Sequence, residues 1–296
     1  MTASDRQLSF GVFVVPDAVE RLAAERLVVR SEALGLDRVG IQDHPYQRRF
    51  LDTPTWISHL AARTERIGFF TDVVSLPLRN PAVLATAAAT IDLQSGGRFD
   101  LGLGAGAFWE AIEAMGGPRR TPGEALRALS EAIDVIRLMW SGERGLRYEG
   151  EFHSMGGVHG GPVPSRDIGI WLGVGGPRAL ELLGKKGDGW VPSLPLMPID
   201  SLAERTARID EAAVEAGRDP RTIRRVANVN GVITTGPTDG FLRGPAGQWR
   251  EDLTWLATEH HFDSFVFWAD GDLDGQVEVF AEIAEDVRGA VAETRT

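Results

Sequence analysis

Eight short apolar runs of β character alternate with eight helical segments along the chain, and this order constrains the fold more than any other feature. Strands are expected over residues 8–15, 38–42, 67–74, from Phe99 through Leu103, and over 168–173, 189–193, 223–232 and 264–268. Helices are expected over 18–34, where Leu22, Leu27, Val28 and Leu34 recur near the 3.6 period, and over 54–63, 177–185, 199–216 and 246–260. A closing helix carries Val277, Phe280, Ala284, Val287 and Val291 on one face. Such alternation, with no linker-like or low-complexity break, is the pattern of a (β/α)8 TIM barrel. Residues 1–296 are read as one barrel domain with a loop excursion at about 141–167, whose glycine- and proline-rich part, 156–164, is a candidate cover for a site.

Local signals fix several helix ends. Asn80 precedes Pro81 as an N-cap before a first-position proline, and Thr121 with Glu124 has the capping-box spacing before a stripe of Leu126, Leu129, Ile133, Ile136 and Trp140. The alternative architecture is an open doubly wound sheet, signalled by Gly102-x-Gly104-x-x-Ala107, the glycine-rich dinucleotide fingerprint in its alanine form. That fingerprint belongs in a first βα turn with an acidic residue about 20 positions on. Here it follows the fourth strand and leads into a loop and a long helix.

With 296 residues, 43% of them hydrophobic, the chain has enough apolar side chain for a large core. Its net charge of -11 argues against a general nucleic-acid or anionic-membrane partner, because neither surface rewards excess carboxylates. The absence of cysteine removes disulfides, thiolate nucleophiles and thiolate-held metals. The first residues lead into an apolar strand without a basic leader, and no segment approaches a membrane-spanning length, so a cytoplasmic protein is expected.

A barrel brings all C-terminal strand ends to one face, so residues distant in sequence become candidates for one site. Asp43 and His44 follow strand two, Asp72 and Val73 lie near the end of strand three, and Gly104, Ala105, Gly106 and Ala107 follow strand four, ahead of Glu110. Gly173, Val174, Gly175 and Gly176 follow strand five, with Pro177 and Arg178 opening the next helix. Free N–H groups and the helix dipole there suit a phosphate, and Arg178 adds a cation. His44 titrates near neutrality and is a candidate proton donor or acceptor. Asp43 points to the other face of its strand and is a candidate structural partner for Arg79 or a backbone amide. His44, His153 and His159 lack a ligand spacing, so no metal is expected. Tyr46, Phe50, Trp56, Trp109, Trp190 and Trp268 offer either an apolar pocket or barrel core.

The assembled motifs resemble the luciferase-like monooxygenase superfamily of flavin- and deazaflavin-dependent barrels. The residues that carry the likeness are 40–44 (GIQDH), 60–68 (LAARTERIG), 80–85 (NPAVLA), 90–98 (TIDLQSGGR), 101–106 (LGLGAG), 138–142 (LMWSG), 170–178 (IWLGVGGPR) and 187–190 (GDGW). The resemblance implies a barrel of the bacterial-luciferase-like type, with Gly175, Gly176 and Arg178 at a cofactor phosphate and a bulge in strand three. It also implies a cis peptide at Asp72-Val73, against whose back the cofactor ring leans, and a homodimer. Asp43-His44 looks like the branch that uses coenzyme F-420, a deazaflavin, with His44 over the reactive ring. That branch transfers hydride to or from a small organic substrate. Members that oxidise sugars or alcohols often have a glutamate where this chain has Ala107; Glu110 is the candidate replacement. The alternatives are a monooxygenase using reduced FMN and O2 with a separate reductase, and a non-catalytic flavin-binding barrel.

Overall fold

The computed structural model describes residues 7–294. Eight parallel strands close into a barrel: β1 Ser9–Val14, β2 Arg38–Ile41, β3 Gly68–Thr71, β4 Phe99–Gly104, β5 Ile170–Leu172, β6 Gly189–Trp190, β7 Arg224–Ile233 and β8 Ser264–Ala269. Each pairs with the next in sequence, and β8 returns to β1 with Phe265 opposite Phe10. The helices between them are α1 Arg21–Ala33, α2 Thr53–Ala61, α3 Pro81–Ser95, α4 Pro122–Trp140, α5 Pro177–Lys186, α6 Leu202–Glu215, α7 Ala246–Glu259 and α8 Leu273–Thr294.

Caps account for several helix starts. Asn80 accepts from the Ala82 and Val83 amides at 3.0 and 3.2 Å, and Thr121 with Glu124 completes the capping box. Alternation along each strand sends one set of side chains outward against the helices and the other inward. Phe13, Phe70, Trp171, Val191, Val226 and Val266 form the inner cluster. At the barrel's foot, Asp100 binds Arg38 and Arg166, both at 2.9 Å.

Three expectations need correction. β3 stops at Thr71 rather than at residue 74, for a reason that lies in the site. Leu22 is 56% exposed, since α1 starts only at Arg21 and buries Leu27, Val28 and Ser31 instead. Of the two readings left open for Trp56 and Trp190 the core one holds, and the Trp190 indole donates to the Val174 carbonyl at 2.9 Å. The excursion does not cover the mouth. Its hairpin, Leu146–Glu149 against Ser154–Val158, runs beside α4, where Glu131 accepts from the amides of Glu151, Phe152 and His153. Its return segment is tied at the opposite end, Ser165 to Asp92 and Arg166 to Asp100, at the N-terminal ends of the strands.

Gly102 is required by close approach: a Cβ there would stand 1.9 Å from the Thr71 carbonyl oxygen. Gly102→Ala is expected to destabilise the protein by roughly 3 kcal/mol, because backbone and not a flexible side chain must yield. A urea titration within about 0.5 kcal/mol of wild type would contradict this packing.

Candidate functional site

The mouth is shaped by one extra residue in β3. Phe70 pairs with Asp100 and Val74 with Leu103, so residues 71–73 on one strand lie opposite only 101 and 102 on the other. This is a β-bulge. The Thr71 hydroxyl fills the broken ladder, donating to the Gly102 carbonyl at 2.8 Å and accepting from its amide at 2.9 Å. The Asp72-Val73 peptide within the bulge is cis. Val73 is pressed into a wall of glycine: a Cβ on Gly102, Gly104 or Gly173 would come within 3.1, 2.9 or 2.8 Å of its methyl groups.

Asp72 is buried with one carboxyl oxygen bonded to Asn228 Nδ2 at 2.9 Å and the other, Oδ2, without a hydrogen-bond partner. Burial pushes this carboxyl up to about 7, against a smaller lowering by Asn228. Oδ2 lies over the Cα of Gly40, where a side chain would stand 2.7 Å away. Sequence reading did not pair Asp72 with Asn228; they are 156 positions apart and meet only because the barrel closes.

Asp43 is sealed, with its side chain 1% exposed. It accepts from the Ser75 amide at 3.0 Å and from Arg79 at 2.7 and 3.2 Å, and so ties the end of β2 to the strand that resumes after the bulge. These are the structural partners the strand alternation points to. His44, its neighbour, is half-buried. Its Nδ1 lies 2.6 Å from the Tyr46 hydroxyl, and Phe108 meets its ring edge-on at 5.4 Å between centroids. Desolvation lowers the His44 pKa below its ordinary value, opposed by the Asp43 charge.

Gly104, Ala105, Gly106 and Ala107 carry the chain out of the barrel beside His44, with Gly106 at φ +103° and Phe108 56% exposed. Glu110 turns away to solvent: its side chain is 83% exposed and bonded to Arg119 at 2.8 Å, which holds its carboxyl below the usual range. No contact among the described residues joins it to His44. At β5, Gly173, Val174, Gly175 and Gly176 lead into α5, whose N-terminus has no side-chain cap. A Cβ on Gly176 would meet nothing within 4 Å, so this turn is open. Arg178 is exposed on the first turn. Arg205, which sequence reading missed, reaches from α6 to the Gly175 carbonyl and is braced by Ser201 Oγ at 2.8 Å. Its only sequence signal is a place in the first turn of the next mouth-facing helix. The open amides, the dipole and the two guanidinium groups are the groups at this turn that could hold an anion. Among the described residues no group of three or more His, Asp or Glu could hold a metal ion.

The Asp72 carboxyl makes stability depend on pH. Between its ordinary value of 3.8 and about 7, the native state keeps a proton that the unfolded chain has released. The contribution is present in full below that window and falls as pH rises through it, by up to about 1.4 kcal/mol per unit. Asp72→Asn cannot ionise, so urea titrations across the window are expected to show the variant gaining on wild type by roughly 1 kcal/mol per pH unit. A difference independent of pH would exclude a protonated Asp72.

Residues 10–239 match the luciferase-like monooxygenase family. An F420-dependent glucose-6-phosphate dehydrogenase of Intrasporangium calvum is 33% identical over 174 residues, 55% of this chain and 51% of that protein. The chain thus spans about half the length of the curated relatives it matches. An F420-dependent secondary alcohol dehydrogenase, solved with an F420-acetone adduct, superposes with TM-score 0.85 at 17% identity over 95% of this chain and 99% of that one. A monooxygenase from Streptomyces bottropensis does so with TM-score 0.79 at 18% identity over 96% and 99%. At such identities the two structures speak for the fold alone. With the family match covering most of its length, the chain belongs to the luciferase-like monooxygenase family.

Proposed function

We propose that the protein is an oxidoreductase that binds coenzyme F-420 and passes hydride to a carbonyl-containing or unsaturated small molecule. The observation that carries this reading is the meeting, at one mouth, of a half-buried His44, the Val73 bulge and an uncapped glycine turn at α5. The similarity to F420-dependent dehydrogenases supports the choice of deazaflavin.

The residues fit such a group. Gly175, Gly176, Arg178 and Arg205 would hold its phosphate, and Val73 would back its ring. When bound, the reduced deazaflavin supplies a hydride. His44 supplies the proton, since Glu110 is occupied by Arg119 in solvent. Phe108 and Tyr46 pack against the imidazole and orient it.

Fluorescence titration with F-420 and with FMN, side by side, tests the reading. Saturable binding of F-420 with weaker or no binding of FMN is expected, and binding of neither would remove it. Preference for FMN together with oxygen-dependent turnover would transfer the site to monooxygenation. Gly176→Asp separates phosphate binding from the fold. An aspartate N-cap has space there and favours α5, so stability should hold or rise, whereas a carboxylate facing the phosphate should weaken F-420 binding at least about tenfold. Unchanged affinity would place the phosphate elsewhere.

A further inference from the structure

We propose that Tyr46 is a positioning residue: it donates its hydroxyl hydrogen to Nδ1 of His44, fixes the histidine as the Nε2–H tautomer, and so makes Nε2 the atom from which the proton leaves. The inference deepens the reading of His44 as proton donor and rests on it.

The geometry is an O···N contact of 2.6 Å between the phenol and Nδ1, the length of a strong hydrogen bond. Two arrangements satisfy it. In one the phenol donates to Nδ1; in the other an Nδ1–H donates to the phenol oxygen. An imidazole sp2 nitrogen is a far better acceptor than a phenol oxygen, and a phenol a better donor than a neutral imidazole, so the first arrangement wins. The ionisation states agree. Burial, with the Asp43 charge behind it, pushes the Tyr46 hydroxyl up to about 12 and keeps its hydrogen. Desolvation keeps His44 neutral, with Asp43 the charged group facing it and Arg79 already bound to that carboxylate. Phe108 packs on both rings, 5.4 Å from His44 and 5.9 Å from Tyr46 between centroids, and holds the pair together. Nε2 has no protein partner among the described residues and is not sealed from solvent.

The pair also removes a difficulty in the proton step. A neutral imidazole that simply lost its Nε2 proton would become imidazolate. With Tyr46 behind it, two protons move in the same direction. As hydride adds to the substrate's carbonyl carbon, the π electron pair passes to oxygen. The Nε2–H bond breaks and its proton joins that oxygen, while the Tyr46 O–H proton passes to Nδ1. The imidazole stays neutral, and the starting state returns when the Nδ1 proton passes back to the Tyr46 phenolate oxygen and water reprotonates Nε2.

The test compares wild type with Tyr46→Phe, which keeps the ring against Phe108. 15N NMR of cofactor-free protein is expected to show His44 as the Nε2–H form in wild type and as a tautomer mixture in the variant. In F-420-loaded protein, Tyr46→Phe should lower kcat roughly tenfold with KM and F-420 affinity unchanged. An Nδ1–H His44 in wild type, the same tautomer population in both proteins, or an unaltered kcat would overturn the proposal. The NMR result stands without turnover, so failure of the F-420 reading is distinguishable from failure of the Tyr46 assignment.

Discussion

One residue too many in β3 is the constraint on which the mouth depends. A parallel barrel has no slack in register, so three residues set against two must throw one side chain out of sequence with the ladder. That side chain is Val73, and the neighbouring strands admit it only because positions 102, 104 and 173 have no Cβ. The gap in the hydrogen bonding is closed by a threonine hydroxyl, and the strand that resumes beyond is held by a carboxylate from β2. Asp43 therefore acts through the backbone. His44 follows directly on this anchored carboxylate, which fixes where the chain leaves β2.

Much of this was legible in the chain as a sequence. The alternation gives the eight βα units, and the Asn80 and Thr121 caps mark their helices because capping is a local event. The bulge and cis peptide at Asp72-Val73 were given only by resemblance. That Gly102, Gly104 and Gly173 make room for the Val73 methyl groups was not legible, because the methyls come from a different strand. Contacts across the barrel were not legible. Asp72 with Asn228, and Arg205 with the Gly175 carbonyl, join different βα units, and no periodicity records which polar groups meet when the sheet closes. Periodicity also overstated α1, where Leu22 fits the pattern but precedes the turn at which the helix reaches the sheet. The excursion misled for a similar reason. Glycine and proline show that 156–164 is a loop but not to which end of the barrel Asp92 and Asp100 will tie the segment that follows.

The placement of charge across the mouth has its own logic. Net charge is kept away from the bulge and gathered at the rim. Asp43 is neutralised by Arg79, Asp72 favours its protonated form up to about pH 7, and His44 is held neutral by desolvation. At the α5 turn, by contrast, Arg205 and Arg178 stand with an uncapped helix end. On the proposed reading, this division matches the two halves of the cofactor. The phosphate end needs permanent cations and free amides, while the reacting end needs a dry wall and one directed proton. A permanent charge beside the reacting carbon would favour one redox state in every substrate complex. A neutral Tyr46–His44 pair lets charge be met only as it develops. The orphaned Asp72 oxygen fits the same scheme, because a carboxyl without a second donor stays protonated and leaves the floor uncharged. The same bulge that admits Val73 thus also sets an acid where burial, and not a partner, decides its charge.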